Sequence, residues 1–330
     1  MRRLSISLLC VWLMLHSLDA KTFHFEKDEE GNIVHAFAQN TNISAAEMKE
    51  VAAIKTLEGL TLGIAPEGVE LENGAIQSLA NCQNLESLRL AKSHLTDEDL
   101  NVLSKLEGLK FLMIEGYVDF LDNHNERYVL TDKTIDAFGA LKNLESLYIS
   151  GSTAFSDRFI EGISELPSLT SIDLGLGRFT DRTLEVISVN PRLKVLNISS
   201  SHFTDSGVAS LSRMQSIEEI EIDSPLLTQQ SLRALKPLTG LKVLDLPMKK
   251  VDRDALAVVA GMKSLERLIL RRAAMDDEEF EVLKGHPSLG SLFLESSILT
   301  GKSEEVLKSL KALRFAQFSR ESWMHVYRGE

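Results

Sequence analysis

The sequence predicts an α/β solenoid in which a short strand–loop–helix unit is stacked on copies of itself. Two observations support this fold class. Apolar repeat starts lie 24 residues apart six times in succession from Leu169 to Leu313, and the units share one pattern of apolar and helix-capping residues. Because one such unit cannot bury its apolar face alone, it must stack on its neighbours. The twelve starts are Ile33, Leu57, Leu85, Leu109, Leu144, Leu169, Leu193, Ile217, Leu241, Leu265, Leu289 and Leu313.

The first element of each unit is a short strand, which the unit beginning at Leu193 illustrates. We number each unit from its start, so that Leu193 is position 1. Leu196 and Ile198, at positions 4 and 6, alternate with Val195 and Asn197. This period of two is typical of a strand with one covered face. Position 5, here Asn197, is therefore expected to point away from the core.

The second element is a short capped helix. Thr204 is placed to accept an otherwise unpaired backbone N–H at the helix start, and Val208, Leu211 and Met214 form an apolar stripe. The predicted N-caps are Ser44, Thr96, Thr131, Ser156, Thr180, Thr204, Thr228, Asp252, Asp276 and Thr300. Glu47 and Glu279 complete capping boxes with Ser44 and Asp276, and Asp99 completes a weaker one with Thr96.

This combination of LxxLxL and a Thr-Asp-capped helix resembles leucine-rich-repeat proteins, and the 24-residue version looks like their exported bacterial members. The resemblance spans roughly Ile33 to Phe318. It implies a curved parallel β-sheet on the concave face, helices on the convex face, and protein binding as the usual role. Many such families carry Asn or Cys at position 9, whereas this chain has residues such as Ser201, Pro225 and Lys249 there.

Four segments are expected along the chain. Residues 1–20 are predicted to be a signal peptide, since Arg2-Arg3 precede an apolar run and Ala20 suits cleavage. Residues 21–32 form an N-terminal cap, residues 33–312 a solenoid of about 11 repeats, and residues 313–330 the last strand and a C-terminal cap. An uncleaved membrane anchor is the alternative for the first segment, although its apolar run is short for a bilayer.

Export to the periplasm or the extracellular space follows from the signal, with no membrane insertion after its cleavage. The mature chain would retain one cysteine, Cys82, at a position where other repeats carry Leu or Met. We therefore expect a buried thiol and no internal disulfide. The net charge of −12 and the lack of a basic stripe argue against nucleic acid. The same acidity suits either a soluble protein or a basic partner.

The position-5 residues are predicted to form a column across the concave face. They are Phe37, Thr61, Arg89, Met113, Tyr148, Asp173, Asn197, Glu221, Asp245, Ile269, Phe293 and Gln317. The centre of this column is acidic, with Glu219 and Asp223 flanking Glu221. Like charges at a strand spacing repel by roughly 1 kcal/mol even in water. Either ordinary solvation or a cationic partner can accommodate them.

The candidate contact surface extends beyond the acidic centre. Arg267, Arg271 and Arg272 change the sign of the charge beside Ile269 and Phe293, and Tyr148 lies on the other side. An acidic centre with apolar shoulders and a basic patch fits a protein-docking face.

An insertion supplies the remaining candidates. The unit beginning at Leu109 has eleven extra residues within 115–130, where Tyr117, Phe120 and Tyr128 stand among acidic residues. Such insertions often form contact loops, although a tolerated surface insertion is an equal alternative.

The sequence carries no recognisable catalytic, cofactor or metal motif. It has no GxSxG, HExxH, glycine-rich phosphate loop or paired-cysteine motif, and the donors in the insertion do not match the calcium pattern. The leading hypothesis is a non-enzymatic, exported scaffold that binds a protein or peptide along its concave face. The alternatives are an envelope or surface component that recognises polysaccharide and, more weakly, an enzyme that uses the insertion. The oligomeric state is not predicted.

Overall fold

The computed structural model describes residues 22–38, 42–63, 70–116, 129–151 and 154–318. Most of these residues belong to one 13-stranded sheet and to the short helices that pack behind it. The order of the main sheet is β1-β2-β4-β6-β7-β8-β9-β10-β11-β12-β13-β14-β15, and β3 and β5 pair separately. The strands are β1 Phe23–Lys27, β2 Ile33–Ala38, β3 Asn42–Ile43, β4 Gly59–Leu62, β5 Glu70–Leu71, β6 Ser87–Ser93, β7 Phe111–Gly116, β8 Ser146–Ser150, β9 Ser171–Leu176, β10 Val195–Ser199, β11 Glu219–Asp223, β12 Val243–Pro247, β13 Arg267–Arg271, β14 Ser291–Leu294 and β15 Phe315–Gln317.

From β2 onward, every strand of the main sheet pairs with the next in parallel. The first pair differs, because β1 runs antiparallel to β2 and joins it through a turn at Gly31. This hairpin covers the side of β2 that would otherwise face solvent as an open sheet edge. The predicted α/β solenoid with a parallel sheet is therefore confirmed.

The helices lie on the opposite side of the strands from the concave residues, and each packs against its neighbours along the chain. The α-helices are α1 Ala45–Ala52, α2 Ile135–Gly139, α3 Asp157–Ile163, α4 Asp181–Ile187, α5 Asp205–Ser210, α6 Gln229–Ala234, α7 Arg253–Gly261, α8 Asp277–Phe280 and α9 Glu304–Ser309. The remaining helical turns are 3-10 helices, at Ile76–Asn81, Asp99–Lys105, Asp132–Thr134, Leu211–Arg213, Glu281–Leu283 and Gly301–Ser303. Several repeats thus use the tighter helix where the unit leaves room for only one or two turns.

One continuous apolar core runs between the sheet and the helices. In the unit of Leu193, the side chains at positions 1, 4 and 6 are fully buried, whereas Val195 and Asn197 are only half-buried. Phe155, Phe179 and Phe203 fill the space beneath the loops of three successive repeats. Cys82 is also buried, and burial raises the pKa of its thiol to about 11. It acts as a small apolar side chain, as expected.

The predicted helix caps are confirmed. Thr180, Thr204 and Thr228 each accept a backbone N–H in the first turn of the following helix. Complete capping boxes join Ser44 to Glu47 and Asp276 to Glu279. The weaker box is also present, although its 3-10 helix begins three residues after Thr96. These contacts satisfy backbone donors that a short helix leaves unpaired.

A further row of contacts joins one repeat to the next, and the sequence analysis did not anticipate it. The Asp that follows a cap accepts two hydrogen bonds from the cap residue of the next repeat, one from the backbone N–H and one from the hydroxyl. We call this row the Asp–Thr ladder. Its donor and acceptor pairs are Thr131 with Asp97, Ser156 with Asp132, Thr180 with Asp157, Thr204 with Asp181, Thr228 with Asp205 and Thr300 with Asp277.

The Asp–Thr ladder is interrupted in the repeats of β11 and β12. Gln229 replaces Asp there and accepts only the Asp252 backbone N–H, at 2.8 Å. Arg233 donates a hydrogen bond to the Asp252 carboxylate, with Nη2 2.6 Å from Oδ2. In the next repeat Arg253 donates to the Glu278 carbonyl instead. Arginine contacts therefore take the place of the ladder at these two junctions.

Two buried polar side chains also serve the backbone. The Asn190 amide oxygen accepts from the N–H groups of Arg192 and Leu193, and its nitrogen donates to a carbonyl of the previous repeat. His286 occupies the equivalent position four repeats later. Its Nδ1 accepts from Ser288 and Leu289, and its Nε2 lies 3.0 Å from the Met262 carbonyl oxygen. This histidine is therefore a structural, neutral side chain, and burial lowers its pKa.

Candidate functional site: the concave face

The position-5 side chains form one continuous column across the concave face. Strand pairing brings each of these residues beside the equivalent residue of the next strand, from Phe37 in β2 to Gln317 in β15. Strands in a sheet are about 4.8 Å apart, so neighbouring side chains of the column can touch. The column contains both charge signs and both polar and apolar stretches. Its placement follows the predicted register.

The acidic centre of the column is not left free, because Arg271 reaches across it. Its Nε lies 2.8 Å from Asp245 Oδ1 on β12, and its Nη2 lies 3.0 Å from Glu221 Oε1 on β11. Its Nη1 is 3.4 Å from Asp223 Oδ2. One guanidinium from β13 thus contacts three carboxylates on two other strands. We call these four residues the Arg271 cluster.

This geometry corrects two predictions about the acidic column. Arg271 was expected beyond the acidic stretch as part of a separate basic patch, whereas its side chain lies within that stretch. Asp245 was expected to face outward, yet it is only 5% exposed. The reach of a long arginine side chain over two strands depends on its rotamer, which a column of positions does not predict.

The electrostatics of the Arg271 cluster follow from burial and from an excess of acid. Burial raises the pKa of Asp245 to about 6, and the nearby Glu221 and Asp223 add to this effect although Arg271 opposes it. Burial works against the charged form of Arg271, but its three carboxylate neighbours outweigh burial and raise its pKa. With all carboxylates ionised, three negative charges face one positive charge. Protonation of Asp245 reduces this excess.

Asp173 occupies the column two strands away from Glu221 and has a different environment. Its Oδ2 accepts a hydrogen bond from Asn197 Nδ2 at 3.0 Å. Burial raises its pKa, and the charge of Glu221 adds to this shift. No cation pairs with Asp173 within the described part of the chain. Glu219, in contrast, is exposed at the amino end of β11.

Arg89 lies toward the N-terminal end of the same column, on β6. Its guanidinium carbon is 4.6 Å from the centre of the Phe111 ring, and its Nη1 is 3.9 Å from the Met113 sulfur. Arg89 is half-buried, and burial lowers its pKa. Arg89 was predicted to lie in the column but was not among the candidate contacts. Its place at position 5 of its repeat was the sequence feature that could have identified it as a contact residue.

Apolar residues flank the charged parts of the face. Met113 and Tyr148 lie side by side on β7 and β8, between Arg89 and Asp173. Ile269 and Phe293 lie side by side on β13 and β14 and are half-buried. Arg267 is exposed at the amino end of β13. The structure thus assembles the predicted shoulders on both sides of the Arg271 cluster. Tyr117, Phe120 and Tyr128 of the insertion lie outside the described residues.

The described residues contain no group of three or more His, Cys, Asp or Glu side chains that could hold a metal ion. A groove of about 530 Å³ lies on the helical side, lined by residues such as Glu161, Arg182 and Val189. Arg182 is bound there by Glu161 and Glu185. The groove is a surface hollow between two repeats.

Comparison with known proteins agrees with this architecture. A family model described as a leucine-rich repeat matches residues 189–212, which is about one repeat. No curated protein sequence matches the chain significantly. Among solved structures, an internalin from Listeria monocytogenes superposes with a TM-score of 0.51 at 20% sequence identity, covering 88% of this chain and 91% of that one. The chain has the leucine-rich-repeat solenoid fold.

A second solved structure shares this fold. It is the Arabidopsis receptor kinase HAESA in complex with the peptide hormone IDA and the co-receptor SERK1. The TM-score is 0.53 at 17% identity, and the match covers 89% of this chain and 47% of that one. None of the helices that the structure describes in this chain has the length and hydrophobicity needed to cross a bilayer.

Proposed function

We propose that this leucine-rich-repeat protein is a non-enzymatic, exported scaffold that binds a protein or peptide along its concave face. The observation that carries the proposal is the column of side chains from β2 to β15, all of them half-buried except the buried Asp245. In the described part of the chain, this column presents an open surface across twelve strands. Such a surface suits an extended contact, because many small contacts over a preformed face add up to affinity.

The solved neighbours are consistent with this role. The HAESA structure contains a bound peptide hormone, and it shares the solenoid architecture with the present chain. Export rests on the predicted signal at residues 1–20, and it would expose the concave face to partners outside the cytoplasm. The insertion residues Tyr117, Phe120 and Tyr128 remain candidates for an additional contact.

The chemistry of the partner is constrained by the Arg271 cluster. Arg271 already occupies the site that Glu221, Asp223 and Asp245 would offer to a partner cation. The carboxylates that remain available are the exposed Glu219 and the half-buried Asp173. A basic group of the partner would thus engage the cluster's outer side or Asp173, without entering the contact between Asp245 and Arg271.

A polysaccharide-binding role has less support from the geometry. Sugar sites usually stack aromatic side chains on the rings, and Tyr148 and Phe293 are six strands apart on this face. That separation is about 29 Å along the sheet. The two side chains cannot grip one or two neighbouring sugar rings together.

The test compares one substitution on opposite faces. Ser171 lies on the concave side of β9, and Ser206 is exposed on α5 at the helical side. The chain and the variants Ser171→Trp and Ser206→Trp would serve as bait for extracytoplasmic extract of the source organism, with circular dichroism to verify folding. We expect Ser171→Trp to lose the captured proteins and Ser206→Trp to retain them. Equal capture by both variants, or capture of glycan alone on a glycan array, would overturn the proposal.

A further inference from the structure

Two half-buried side chains of opposite charge on the concave face, Arg89 and Asp173, have no counter-ion among the described residues. Arg89 contacts only the Phe111 ring and the Met113 sulfur, and Asp173 accepts only from the Asn197 amide, as far as the described residues extend. Elsewhere on this face Arg271 is bound by three carboxylates. A half-buried charge has lost part of its hydration, and a contact with an opposite charge would restore the lost interaction. Arg89 and Asp173 do not supply this to each other.

Their separation explains why they remain apart. Arg89 is on β6 and Asp173 on β9, and the strands between them are β7 and β8. Three strand spacings of about 4.8 Å give about 14 Å along the sheet. Arginine and aspartate side chains cannot span that distance. Met113 and Tyr148 occupy the column between them and form an apolar stretch.

We infer that Arg89, the Met113–Tyr148 stretch and Asp173 form a subsite for an extended peptide segment that carries a carboxylate and a basic side chain about four residues apart. An extended chain rises about 3.3 Å per residue, so four residues cover roughly the 14 Å between the two charges. The carboxylate would receive hydrogen bonds from Arg89, and the basic group would donate to Asp173. An apolar side chain between them would cover Met113 and Tyr148. This subsite rests on the proposed function and specifies its ligand.

The arrangement favours a peptide for two reasons. The two charges select a ligand with a fixed distance between its own charges, which a backbone of regular rise provides. The apolar stretch between them excludes a partner that is charged throughout, since burying further charges against Met113 and Tyr148 would cost hydration. A single anion or a single cation would satisfy only one end.

Synthetic nonapeptides provide a direct test. Each carries one Lys and one Asp at a separation of two to eight residues in a background of Thr, Val and Tyr, and companions carry Lys alone or Asp alone. Fluorescence polarisation would measure their binding to the chain and to the variants Arg89→Met and Asp173→Asn. Arg158→Met is the matched control, because Arg158 is an exposed arginine on α3, away from the concave face. Methionine keeps an apolar stem over the Phe111 ring.

The expected result is strongest binding at a separation of about four residues. Arg89→Met should weaken that peptide about tenfold or more and leave the Lys-only peptide unchanged. Asp173→Asn should weaken the same peptide and leave the Asp-only peptide unchanged, whereas Arg158→Met should change the binding of no peptide. Binding that ignores the separation, an Arg89→Met effect equal to that of Arg158→Met, or no binding of any probe would overturn the subsite. Failure of the subsite alone would leave the difference between Ser171→Trp and Ser206→Trp intact, whereas failure of the proposed function would abolish that difference.

Discussion

Asp205 offers the sharpest test of how the repeats are held together. Its Oδ1 accepts from the Thr228 backbone N–H at 2.9 Å and from the Ser231 hydroxyl, and its Oδ2 accepts from the Thr228 hydroxyl at 2.6 Å. The substitution Asp205→Ala removes all three inter-repeat contacts together. It leaves the strands and the apolar core unchanged.

The expected cost follows from the fate of each donor. Ser231 is fully buried, so its hydroxyl would stay unsatisfied at a cost of about 1–3 kcal/mol. Thr228 is exposed, so water can replace its two contacts at a cost of a few tenths of a kcal/mol each. Loss of an acidic group from the first turn of α5 adds about 0.5 kcal/mol. We expect Asp205→Ala to reduce the free energy of unfolding by roughly 3 kcal/mol.

Urea unfolding followed by circular dichroism would measure this loss, and hydrogen exchange would locate it. Gln229→Ala is the matched control, because Gln229 occupies the equivalent position and makes one contact to the next repeat's cap, with the Asp252 N–H. Its expected cost is about 1 kcal/mol. Asp205→Ala should also speed amide exchange in α6 more than in α3. If Asp205→Ala costs no more than Gln229→Ala, the ladder does not stabilise the stack as argued.

Three further predictions concern buried groups. Because the folded pKa of Asp245 is raised to about 6, the folded state binds a proton more tightly than the unfolded state does. The protein should therefore lose stability as pH rises from about 4 to about 6, by at most about 3 kcal/mol. Asp245→Asn, which can still accept from Arg271, should lack this loss in urea titrations at several pH values. His286 has a lowered pKa, so the fold should lose stability as pH falls below about 6.5. His286→Asn introduces the residue type that Asn190 provides at the equivalent position of an earlier repeat. This variant should reduce the pH dependence of the melting temperature between pH 7 and 5. Because the two effects have opposite signs between about pH 5 and 6, each variant is compared with the wild type, and a pH profile parallel to that of the wild type would contradict the prediction for that residue. Cys82 should react with a thiol reagent only after unfolding, and rapid labelling of the native protein would show that its burial is wrong.

The fold was predictable because the same pattern of apolar and helix-capping residues recurs in successive repeats. The alternation of Leu196 and Ile198 with polar neighbours specifies one strand face, and the 24-residue period carries that assignment from unit to unit. The caps were predictable for a similar reason, since the capping contact of Thr204 is made within its own helix. A unit whose own pattern is ambiguous can be assigned by comparison with the other units.

Contacts between repeats were not predictable from the same pattern. Asp205 looks like an ordinary first-turn acid within its own helix, and its bonds to Thr228 exist only once two units are stacked. The reach of Arg271 to Glu221 likewise depends on side-chain conformation across two strands. The position-5 column predicted correctly which residues are neighbours on adjacent strands. It did not predict that a side chain from one strand would pair with charges on other strands.

The replacement of the Asp–Thr ladder by arginine contacts gives the solenoid one section with a distinct response to ionic strength. At the junctions from β11 to β13, the helical side is held by Arg233 and Arg253, and the concave side by Arg271. Partly exposed ion pairs, such as Arg233 with Asp252 and Arg253 with Glu281, weaken as salt screens them, whereas hydrogen bonds of hydroxyl and amide donors within a packed stack are less affected. Raising the salt concentration should therefore soften the stack at these two junctions first.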